Sequence, residues 1–485
     1  MDHRNIDPLL EECCRRNETV RACRSRGNLT LDAFLRAQAE KVRTNRRVKA
    51  PSDPGDFLSI AADYVAERLG EAAGSGTVAA LSLGVTCTAD HLGSLFNSQS
   101  FQSDLLYAAL LREMGDGSGY VPILCAGQVE LGSSSYARGI SAYTIRDKKQ
   151  LLPLFPDKHS GQLASCAAPV DRELLDRFRK HYFGAAGSPK LEKALDEILR
   201  ALYETEKAGL AARFSDQVTM AGATLSRGLF RDSAPVLVYM EAEELLRPLL
   251  LRELAEGRSL LARLLLEPEL RKAIGTAELP DGSRLSEKLI LGVDEKGRKL
   301  SLRLQEDGSL IGEDWRKQPV RYPVEALRGL LEERKLLPGV LSMVILLFFE
   351  RGVTWLGGMF QAGYLPQWQR ALAETLRGAG LETEAETVLA YDCTGYISGP
   401  MFSLYRGEGF ATSAGPVEFW MEKPSYSRIG KLIAGTKLWD AHIIGLSEMY
   451  FDLVSPDERE KDWYPRIAEE LYWRYPRNGI ADGNT

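Results

Sequence analysis

The apolar residues of the chain recur at two kinds of spacing, and the alternation between them predicts the order of its elements. Residues 57–70 are apolar at helical spacing, and Gly70 stands where such a helix would end. Residues 77–88 form a long apolar run with several β-branched side chains, which is typical of a strand buried on both faces of a parallel sheet. Helical spacing follows at 96–114, and a second apolar strand is predicted at 120–126. This order predicts a strand–helix–strand unit with a right-handed parallel crossover.

The same alternation continues to about residue 275 and then changes. Further strands are predicted at 139–145, 162–168 and 236–240, and further helices at 171–182, 190–230 and 241–256. Beyond residue 276 the predicted strands are short and joined by turns, which is typical of antiparallel pairing. The very apolar stretch 341–349 is predicted to lie in the main core. We therefore expect an α/β fold with a Rossmann-like parallel sheet, helices on both its faces, a small antiparallel β module and a helical C-terminal part.

The length of 485 residues is too great for one ordinary hydrophobic core, so several units are expected. Changes in composition along the chain divide it into four such units. They are an N-terminal helical extension at 1–55, the Rossmann-like core at 56–275, the β module at 276–323, and a return to the core with an aromatic-rich C-terminal region at 324–485.

The charge and composition of the chain indicate which kinds of binding partner to expect. The formal net charge is -6, with 61 basic against 67 acidic residues, so no general attraction to nucleic acid is expected. No apolar run reaches the roughly twenty residues of a membrane span, and the N-terminus has no apolar leader, so we expect a cytoplasmic protein. The seven scattered cysteines and five scattered histidines predict neither a disulfide framework nor a metal site. A small-molecule substrate is the expected partner, and a homo-oligomer is compatible with the sequence.

Polar residues follow the first predicted strand, where an open parallel sheet binds its ligands. The loop and the start of the next helix supply Asp90, His91, Gly93, Asn97 and Gln102. The glycine allows close backbone approach, and the helix N-terminus favours a phosphate or carboxylate. The histidine can act as acid, base or phosphate donor. The alternative is that His91 is a structural residue that caps the helix.

Three other loops carry candidate residues. They are Gln128 and Arg138 after the second strand, Lys158 and His159 in a loop at 155–161, and Gly357 and Gly358 in a glycine-rich loop at 352–363. Arg138 would clamp an anion, and with Asp90 and His91 it forms the predicted catalytic set. The other candidates are predicted to contact a cofactor. Each pattern is also typical of a surface residue or of close packing, and no complete GxGxxG, GxxxxGK[ST], HExxH or GxSxG motif accompanies them.

Three segments together resemble a known family. They are the strand–loop–helix at 85–111 followed by Val121-Pro122-Ile123-Leu124, the β module with 299–305 before a helix at 324–335, and Leu336-Leu337-Pro338 leading to Gly357-Gly358 and Tyr364-Leu365. Over roughly residues 78–370 the chain is similar to the bacillithiol biosynthesis cysteine-adding enzymes (putative cysteine ligases), whose core is like that of class I aminoacyl-tRNA synthetases. This resemblance implies a nucleotide-binding core, with ATP or another adenine nucleotide as cofactor. His91-Leu92-Gly93 also looks like the start of the HxGH signature of those synthetases, with Ser94 at the second histidine position.

Three functions are compatible with these observations. The first is a ligase or transferase that binds a nucleotide or phosphorylated ligand at the strand ends and joins an amino acid or similar acid to an amine. His91 would then hold phosphate, while Arg138 and Lys158 neutralise developing charge. The second is a soluble acyltransferase of the glycerol-phosphate type that uses His91, although the aspartate that would orient this histidine is missing. The third is a non-enzymatic binding or scaffold protein.

Overall fold

A computed structural model describes residues 5–184 and 188–481. The chain begins with helices α1 (Asp7–Arg16), α2 (Glu18–Ser25), α3 (Leu31–Asn45), α4 (Gly55–Leu69) and α5 (Glu71–Leu81). It continues with β1 (Val85–Cys87), α6 (Ser98–Glu113), β2 (Tyr120–Cys125), β3 (Gly139–Ala142), β4 (Gln150–Pro153), α7 (Arg172–Tyr182), α8 (Pro189–Tyr203), α9 (Glu206–Gly209), α10 (Phe214–Gly228), β5 (Val236–Glu241), α11 (Ala242–Glu256), α12 (Leu260–Leu266) and α13 (Pro268–Thr276).

The second half of the chain contains a β module, two more strands of the main sheet and a run of helices. Its elements are β6 (Ile290–Val293), β7 (Lys299–Leu304), β8 (Leu310–Glu313), β9 (Pro319–Tyr322), α14 (Leu327–Glu332), β10 (Leu336–Pro338), α15 (Val340–Val344), β11 (Thr354–Gly358), α16 (Gln361–Gly378), α17 (Glu382–Leu389), β12 (Tyr396–Ser398), β13 (Leu404–Gly407), β14 (Phe410–Ser413), α18 (Pro416–Glu422), α19 (Tyr426–Gly435), α20 (Leu438–Ile444), α21 (Leu446–Leu453) and α22 (Trp463–Arg474). Within the described ranges, none of the helices has the length and apolar character that crossing a membrane requires.

The main sheet draws its five parallel strands from two distant stretches of the chain. Its order is β12-β11-β1-β2-β5, and every neighbouring pair is parallel. The chain extends the sheet from β1 through β2 to β5, and later adds β11 and β12 on the other side of β1. The predicted Rossmann-like sheet is thereby confirmed, and the point where the strand order reverses lies between β1 and β11.

Both faces of this sheet are covered by helices, as predicted. In β2, Ile123 packs into one hydrophobic cluster together with Phe34 of α3 and Phe101 of α6. The next residue, Leu124, packs into a second cluster to which α4, α11 and α16 contribute. Because side chains of a strand point alternately to its two faces, the sheet is buried on both sides.

The β module is antiparallel, as its turns predict. The order of its strands is β10-β6-β7-β8-β9, and all neighbouring pairs are antiparallel. Along β7 exposed and buried residues alternate, with Leu300, Leu302 and Leu304 packed into the second cluster. One face of the module therefore rests on the core while the other faces solvent. Its edge strand β10 lies beyond residue 323, so the sheet of the module includes chain from the following segment.

The predicted strand at 77–88 is wrong over most of its length. Helix α5 runs through Leu81, and β1 begins only at Val85. The reason is close packing between helices: a Cβ at Gly74 of α5 would lie 2.8 Å from the carbonyl oxygen of Ala62 in α4. An apolar run rich in alanine and glycine can be buried by packing between helices as well as by pairing between strands. Its hydrophobicity alone therefore does not distinguish a helix from a strand.

Two other predicted segments also differ. The strand expected at 162–168 is replaced by a 3-10 turn at Ala164–Cys166. The glycine-rich loop expected at 352–363 contains β11, which pairs with β1 on one side and β12 on the other. This strand is short and ends in two glycines, so its composition is that of a loop even though it lies inside the sheet.

A single buried amide ties the C-terminal region to α6. Gln102 is fully buried, and its Nε2 donates to the carbonyl oxygens of Ser403 and Ala414 at 3.0 and 2.9 Å. Its Oε1 accepts from the backbone N–H groups of Phe402 and Ser403 at 2.9 and 3.0 Å. Four backbone groups on the two sides of the β13–β14 hairpin therefore depend on one side chain.

We expect Gln102→Ala to lower the free energy of unfolding by about 3 kcal/mol or more, because buried backbone groups lose their partners and a cavity remains. Urea unfolding followed by circular dichroism measures this change. The matched control is Gln318→Ala at an exposed position, where we expect a change within about 0.5 kcal/mol. Equal stability of the two variants would contradict the role of Gln102.

Candidate functional site

The carboxyl ends of β1 and β11 lie side by side where the strand order reverses, and a long helix begins after each of them. Helix α6 starts at Ser98 and helix α16 at Gln361. The first turn of a helix carries free N–H groups and partial positive charge, which favour a phosphate or carboxylate. The fold therefore brings two helix N-termini to the crevice where ligands of open α/β sheets bind.

Five polar or glycine residues at these strand ends form what we call the switch-point cluster: Thr88, Gln99, Gly358, Gln361 and Ser398. The Thr88 hydroxyl donates to Gln361 Oε1 at 3.0 Å, and Gln99 Nε2 donates to Ser398 Oγ at 3.3 Å. The other amide atoms, Gln99 Oε1 and Gln361 Nε2, are buried and find no hydrogen-bond partner among residues 5–184 and 188–481. A buried unpaired amide group costs about 1–3 kcal/mol, so a ligand that bonds to both would relieve this cost.

Two of the glycines predicted to contact a cofactor, Gly357 and Gly358, differ in their surroundings. A Cβ at Gly357 would lie 2.1 Å from Gln361 Oε1, so this glycine allows the glutamine side chain to fold over the strand. At Gly358, no atom of the described chain lies within 4 Å of a Cβ position. Gly358 therefore borders open space at the crevice, whereas Gly357 serves packing.

His91 lies at the end of β1, next to the strand end of β2. It forms a parallel bridge with Ala126, and its Nδ1 lies 3.0 Å from Ser135 Oγ, which is 2.9 Å from Ser133 Oγ. Burial lowers the pKa of His91 to about 4, so its imidazole is neutral near pH 7. The ring is thus oriented by a hydroxyl group, and in this state it can donate or accept a hydrogen bond but carries no positive charge.

Asp90 points into the protein interior and not toward the crevice. Its carboxyl group is within hydrogen-bonding distance of Asp104 on α6, whose Oδ2 accepts from the Tyr239 hydroxyl at 2.8 Å. Burial raises the pKa of Asp90 to about 7, and burial together with the neighbouring Asp90 raises that of Asp104 well above its ordinary range. Two carboxyl groups so close together hold a proton between them. Asp90 therefore links the β1 loop to α6 and β5.

Three other residues predicted on this loop serve its structure. Gly93 has a φ of +88°, and a Cβ there would lie 2.7 Å from the ring of Phe214. Asn97 caps α6, since its side chain accepts from the backbone N–H of Ser100 at 3.0 Å. Gln102 uses both amide atoms in the contacts with the C-terminal region described above.

Gln128 lies above a buried carboxylate that the sequence analysis missed. The backbone N–H of Gly127 donates to both oxygens of Glu243 at 3.0 and 2.8 Å, and that of Gln128 donates at 2.9 Å. Burial, reinforced by Glu241, raises the pKa of Glu243 to about 8. Gln128 Nε2 is buried without a hydrogen-bond partner in the described part of the chain. The signal was present in the sequence, because Glu241 and Glu243 come directly after the strand predicted at 236–240.

Arg138, Lys158 and His159 lie together on two loops that pack against each other. Arg138 Nη1 forms an ion pair with Asp157 Oδ1 at 2.6 Å. Asp157, Lys158 and His159 form a short 3-10 turn in which Lys158 is exposed and His159 half-buried. The guanidinium group predicted as an anion clamp is thus already engaged by a carboxylate. The loop that carries Arg138 also carries Ser135, which connects it to His91.

An arginine network at the end of β5 was also missed. Arg213 Nη1 lies 2.9 Å from Glu241 Oε2 and 3.0 Å from Glu244 Oε2. Arg334, which follows α14, contacts Glu244 as well and has a φ of +58°. Burial lowers the pKa of Arg334, and the nearby Arg213 adds to this effect. The network joins the segment that leads into β10 to the carboxyl edge of the main sheet.

The C-terminal helices supply a wall at the N-terminus of α6. The backbone N–H of Ser98 donates to the Tyr143 hydroxyl at 3.1 Å, and Lys149 Nζ lies 5.8 Å from the centre of the Tyr143 ring. Lys149 forms an ion pair of 2.8 Å with Glu448 of α21, and the two side chains are 7% and 4% exposed. The sequence could not indicate this wall, because its members are far apart along the chain.

The described ranges contain no group of three or more histidine, cysteine, aspartate or glutamate side chains placed to hold a metal ion. The groups available for chemistry at the carboxyl edge are therefore amides, hydroxyls, buried carboxyls, the neutral His91 and the cations of Lys149 and the arginine network.

The shared proton of Asp90 and Asp104 leads to a pH-dependent prediction. The folded chain keeps a proton that the unfolded chain releases near pH 4, so the free energy of unfolding falls as pH rises from about 4 through about 7. In Asp104→Asn an amide N–H replaces that proton. The stability of the variant relative to the unsubstituted protein should then rise between pH 5 and pH 8, by up to about 1.4 kcal/mol per pH unit.

Urea unfolding at pH 5 and pH 8 tests this prediction. Asp147→Asn, at an exposed position, serves as the control, and we expect its stability difference to be the same at both pH values. A stability difference for Asp104→Asn that is also independent of pH would show that no proton is shared.

No protein-family model, no curated protein and no solved structure matches this chain.

Proposed function

We propose that the protein is a ligase or transferase that binds a nucleotide or another phosphorylated ligand at the switch-point cluster. One observation carries the proposal: α6 and α16 both begin at the carboxyl edge of the sheet, and the buried amides of Gln99 and Gln361 at their first turns each keep an atom without a partner in the described chain. The helix N-termini favour anionic groups, and the two amides offer one acceptor and one donor.

The chemistry of this lining fits ATP or another adenine nucleotide. The adenine edge presents an amino group beside ring nitrogens, so it can donate to Gln99 Oε1 and accept from Gln361 Nε2. Open space beside Gly358 allows a ligand to approach the backbone closely. The phosphates would then face the first turn of α16, because two N–H groups in the first turn of α6 already donate to Asn97 and Tyr143.

His91 would contribute a hydrogen bond and not a positive charge. When Ser135 donates to Nδ1, the ring proton is on Nε2, from which it can donate to a phosphate oxygen. A neutral imidazole donor stabilises charge that develops on such an oxygen without requiring a second protonation of the ring.

The reaction proposed is the joining of an amino acid or similar acid to an amine. These small-molecule substrates would lie toward the C-terminal wall, where Lys149 supplies a cation near the N-terminus of α6. Arg138 and Lys149 are both paired with a carboxylate, Asp157 and Glu448 respectively. We assign to Lys149 the charge-neutralising role that the sequence suggested for Arg138, because Lys149 lies beside Tyr143, which accepts from the first N–H of α6. All seven cysteines are free thiols, which supports a role in the reducing cytoplasm.

The acyltransferase alternative gains no support from the geometry. His91 is oriented by Ser135 and not by a carboxylate. Phe155-Pro156-Asp157-Lys158 looks like the phosphate-binding motif of those acyltransferases, but Phe155 packs edge-on against Phe214 at 5.1 Å in the hydrophobic core. A nucleotide that binds the protein would support the proposed enzyme, whereas the scaffold alternative requires no nucleotide binding.

We expect ATP, ADP or AMP to raise the melting temperature of the purified protein, because a ligand that binds only the folded state stabilises it. Gly358→Val should weaken nucleotide binding about tenfold or more by filling the open space, and should leave the melting temperature without ligand nearly unchanged. Gly430→Val is the matched control, because it adds the same side chain at an exposed helix position with no described atom within 4 Å. A thermal-shift screen with and without magnesium, followed by calorimetric titration, makes the measurement.

The outcomes of this screen separate the alternatives. Stabilisation by coenzyme A compounds alone would support acyl transfer. The absence of any shift at saturating concentrations would support the scaffold function and contradict the proposal.

Two substitutions of His91 test which ring nitrogen meets the ligand. His91→Asn keeps an amide group near the position of Nδ1 and so preserves the contact with Ser135, but removes Nε2. His91→Gln places an amide nitrogen near Nε2. We expect the asparagine variant to bind the nucleotide about tenfold more weakly, which is the contribution of one hydrogen bond to a charged group, and the glutamine variant to retain most of the affinity. Equal affinity of all three proteins would mean that His91 does not contact the ligand.

A further inference from the structure

A second cavity lies at the amino-terminal edge of the main sheet, opposite the switch-point cluster. Its volume is about 860 Å³, which is in the range of small-molecule sites. Its walls come from the start of α4, the end of α11, the start of α12, helix α17 and the loop that leads into β11. None of the residues of the switch-point cluster lines it.

Glu350 gives this cavity a buried carboxyl group that is only partly satisfied. The residue lines the cavity and is 2% exposed. Its Oε1 accepts from the backbone N–H of Leu260 at 2.6 Å. Its Oε2 is buried, and no residue of the described ranges forms a hydrogen bond with it. A buried carboxyl oxygen without a donor is unfavourable, so this atom is a natural acceptor for a ligand.

The neighbouring arginine does not supply the missing donor. Arg351 Nη1 lies 4.0 Å from Glu350 Oε2, which is beyond hydrogen-bonding distance. Its guanidinium instead forms a bidentate pair with Asp56 at 2.9 and 2.8 Å, donates to Glu253 at 2.5 Å, and donates to the carbonyl of Leu346 at 3.0 Å. The positive charge of Arg351 is thus already shared by two other carboxylates.

The charges around the cavity favour a cation. Its lining contains six carboxyl groups and four arginines. Arg351 is engaged as described, and Arg252 also contacts Asp56. Arg263 is paired with Glu267 and Glu384 at 2.9 and 2.8 Å. The fourth arginine, Arg258, is exposed at the rim. The cavity therefore has an excess of negative charge, and part of it is the buried Glu350.

We propose that this cavity binds a small organic cation whose primary ammonium or guanidinium group donates to Glu350. A bare metal ion suits the site less well, because no cluster of three metal-ligating side chains occurs in the described parts of the chain. An ammonium group needs only one carboxylate together with neutral acceptors, and the volume of the cavity accommodates its carbon skeleton. The proposal is independent of the function proposed for the carboxyl edge.

Binding of such a cation is coupled to the ionisation of Glu350. Burial, together with Glu253 of α11, raises the pKa of Glu350 to about 7, while the backbone N–H groups of Leu260 and Leu261 and the Arg351 guanidinium oppose this shift. Asp56 of α4 faces the same group through Arg351. The cation prefers the ionised carboxylate, so its affinity should be about tenfold higher at pH 8 than at pH 6.

Calorimetric titration of the full chain with putrescine and with agmatine at pH 6 and pH 8 tests the proposal. We expect both probes to bind, more tightly at pH 8, and magnesium and inorganic phosphate not to bind at this site. Glu350→Gln keeps an acceptor for Leu260 but cannot ionise, so it should lose about tenfold or more in affinity together with the pH dependence. Glu269→Gln, at an exposed position of α13 outside the cavity, is the matched control and should bind like the unsubstituted protein.

A second variant tests the proposal independently in case Glu350→Gln does not fold. Thr383 is exposed and lines the rim of the cavity, so Thr383→Trp should obstruct it without disturbing the core. Loss of binding in Thr383→Trp with an unchanged melting temperature would support the proposal even where Glu350→Gln does not fold. The proposal is overturned when the unsubstituted protein binds neither amine, or when amine binding survives in both variants.

Discussion

The structure depends on one constraint: the backbone polar groups at the ends and edges of a parallel sheet buried on both faces need hydrogen-bond partners, and in this chain several of those partners are buried side chains from distant segments. The buried Glu243 accepts from the backbone of Gly127 and Gln128 beyond β2. Gln38 of α3 accepts from the backbone of Tyr396 on the edge strand β12 at 3.2 Å. Gln102 satisfies the chain that leads to β13. These three side chains connect the N-terminal helices, the sheet and the C-terminal region through buried polar contacts.

The same constraint determines the chemistry of the sheet edges. Desolvation keeps His91 neutral and leaves a proton on the pair formed by Asp90 and Asp104. At the switch-point cluster the unpaired groups are therefore buried, neutral amide atoms beside two helix N-termini. The cations that border this edge, Lys149 on the C-terminal wall and the arginine network beyond β5, are paired with carboxylates.

Strand β11 lies between the two proposed sites, which differ in character. Glu350 and Arg351 precede it, and Gly358 and Gln361 follow it. Five residues of extended chain span roughly 16 Å, so the two proposed sites lie at opposite ends of one rigid element. One end is lined by neutral polar groups and the other by buried ions. Ligands of different charge would consequently select different ends of the sheet.

The predictions from sequence succeeded where hydrophobic runs were long and unambiguous. The strands β2 and β5, helix α11 and the alternating strand β7 all follow from their spacing. Helix α5 was mistaken for a strand, because its small residues pack as closely against α4 as a strand would against a sheet. Strand β11 was mistaken for a loop, because its terminal glycines have no side chains to show the pattern.

For the site, the sequence by itself determined which loops lie at the carboxyl edge, since polar residues that follow buried parallel strands must meet there. It thereby placed His91 and Gln128 at that edge. Only the tertiary structure decided which of those side chains already have hydrogen-bond partners and which do not. The reason is that the groups around them come from other elements: Asp104, Glu243, Ser135 and Lys149. Hydrogen bonding and burial are properties of neighbours in space, and in this chain those neighbours are distant in sequence.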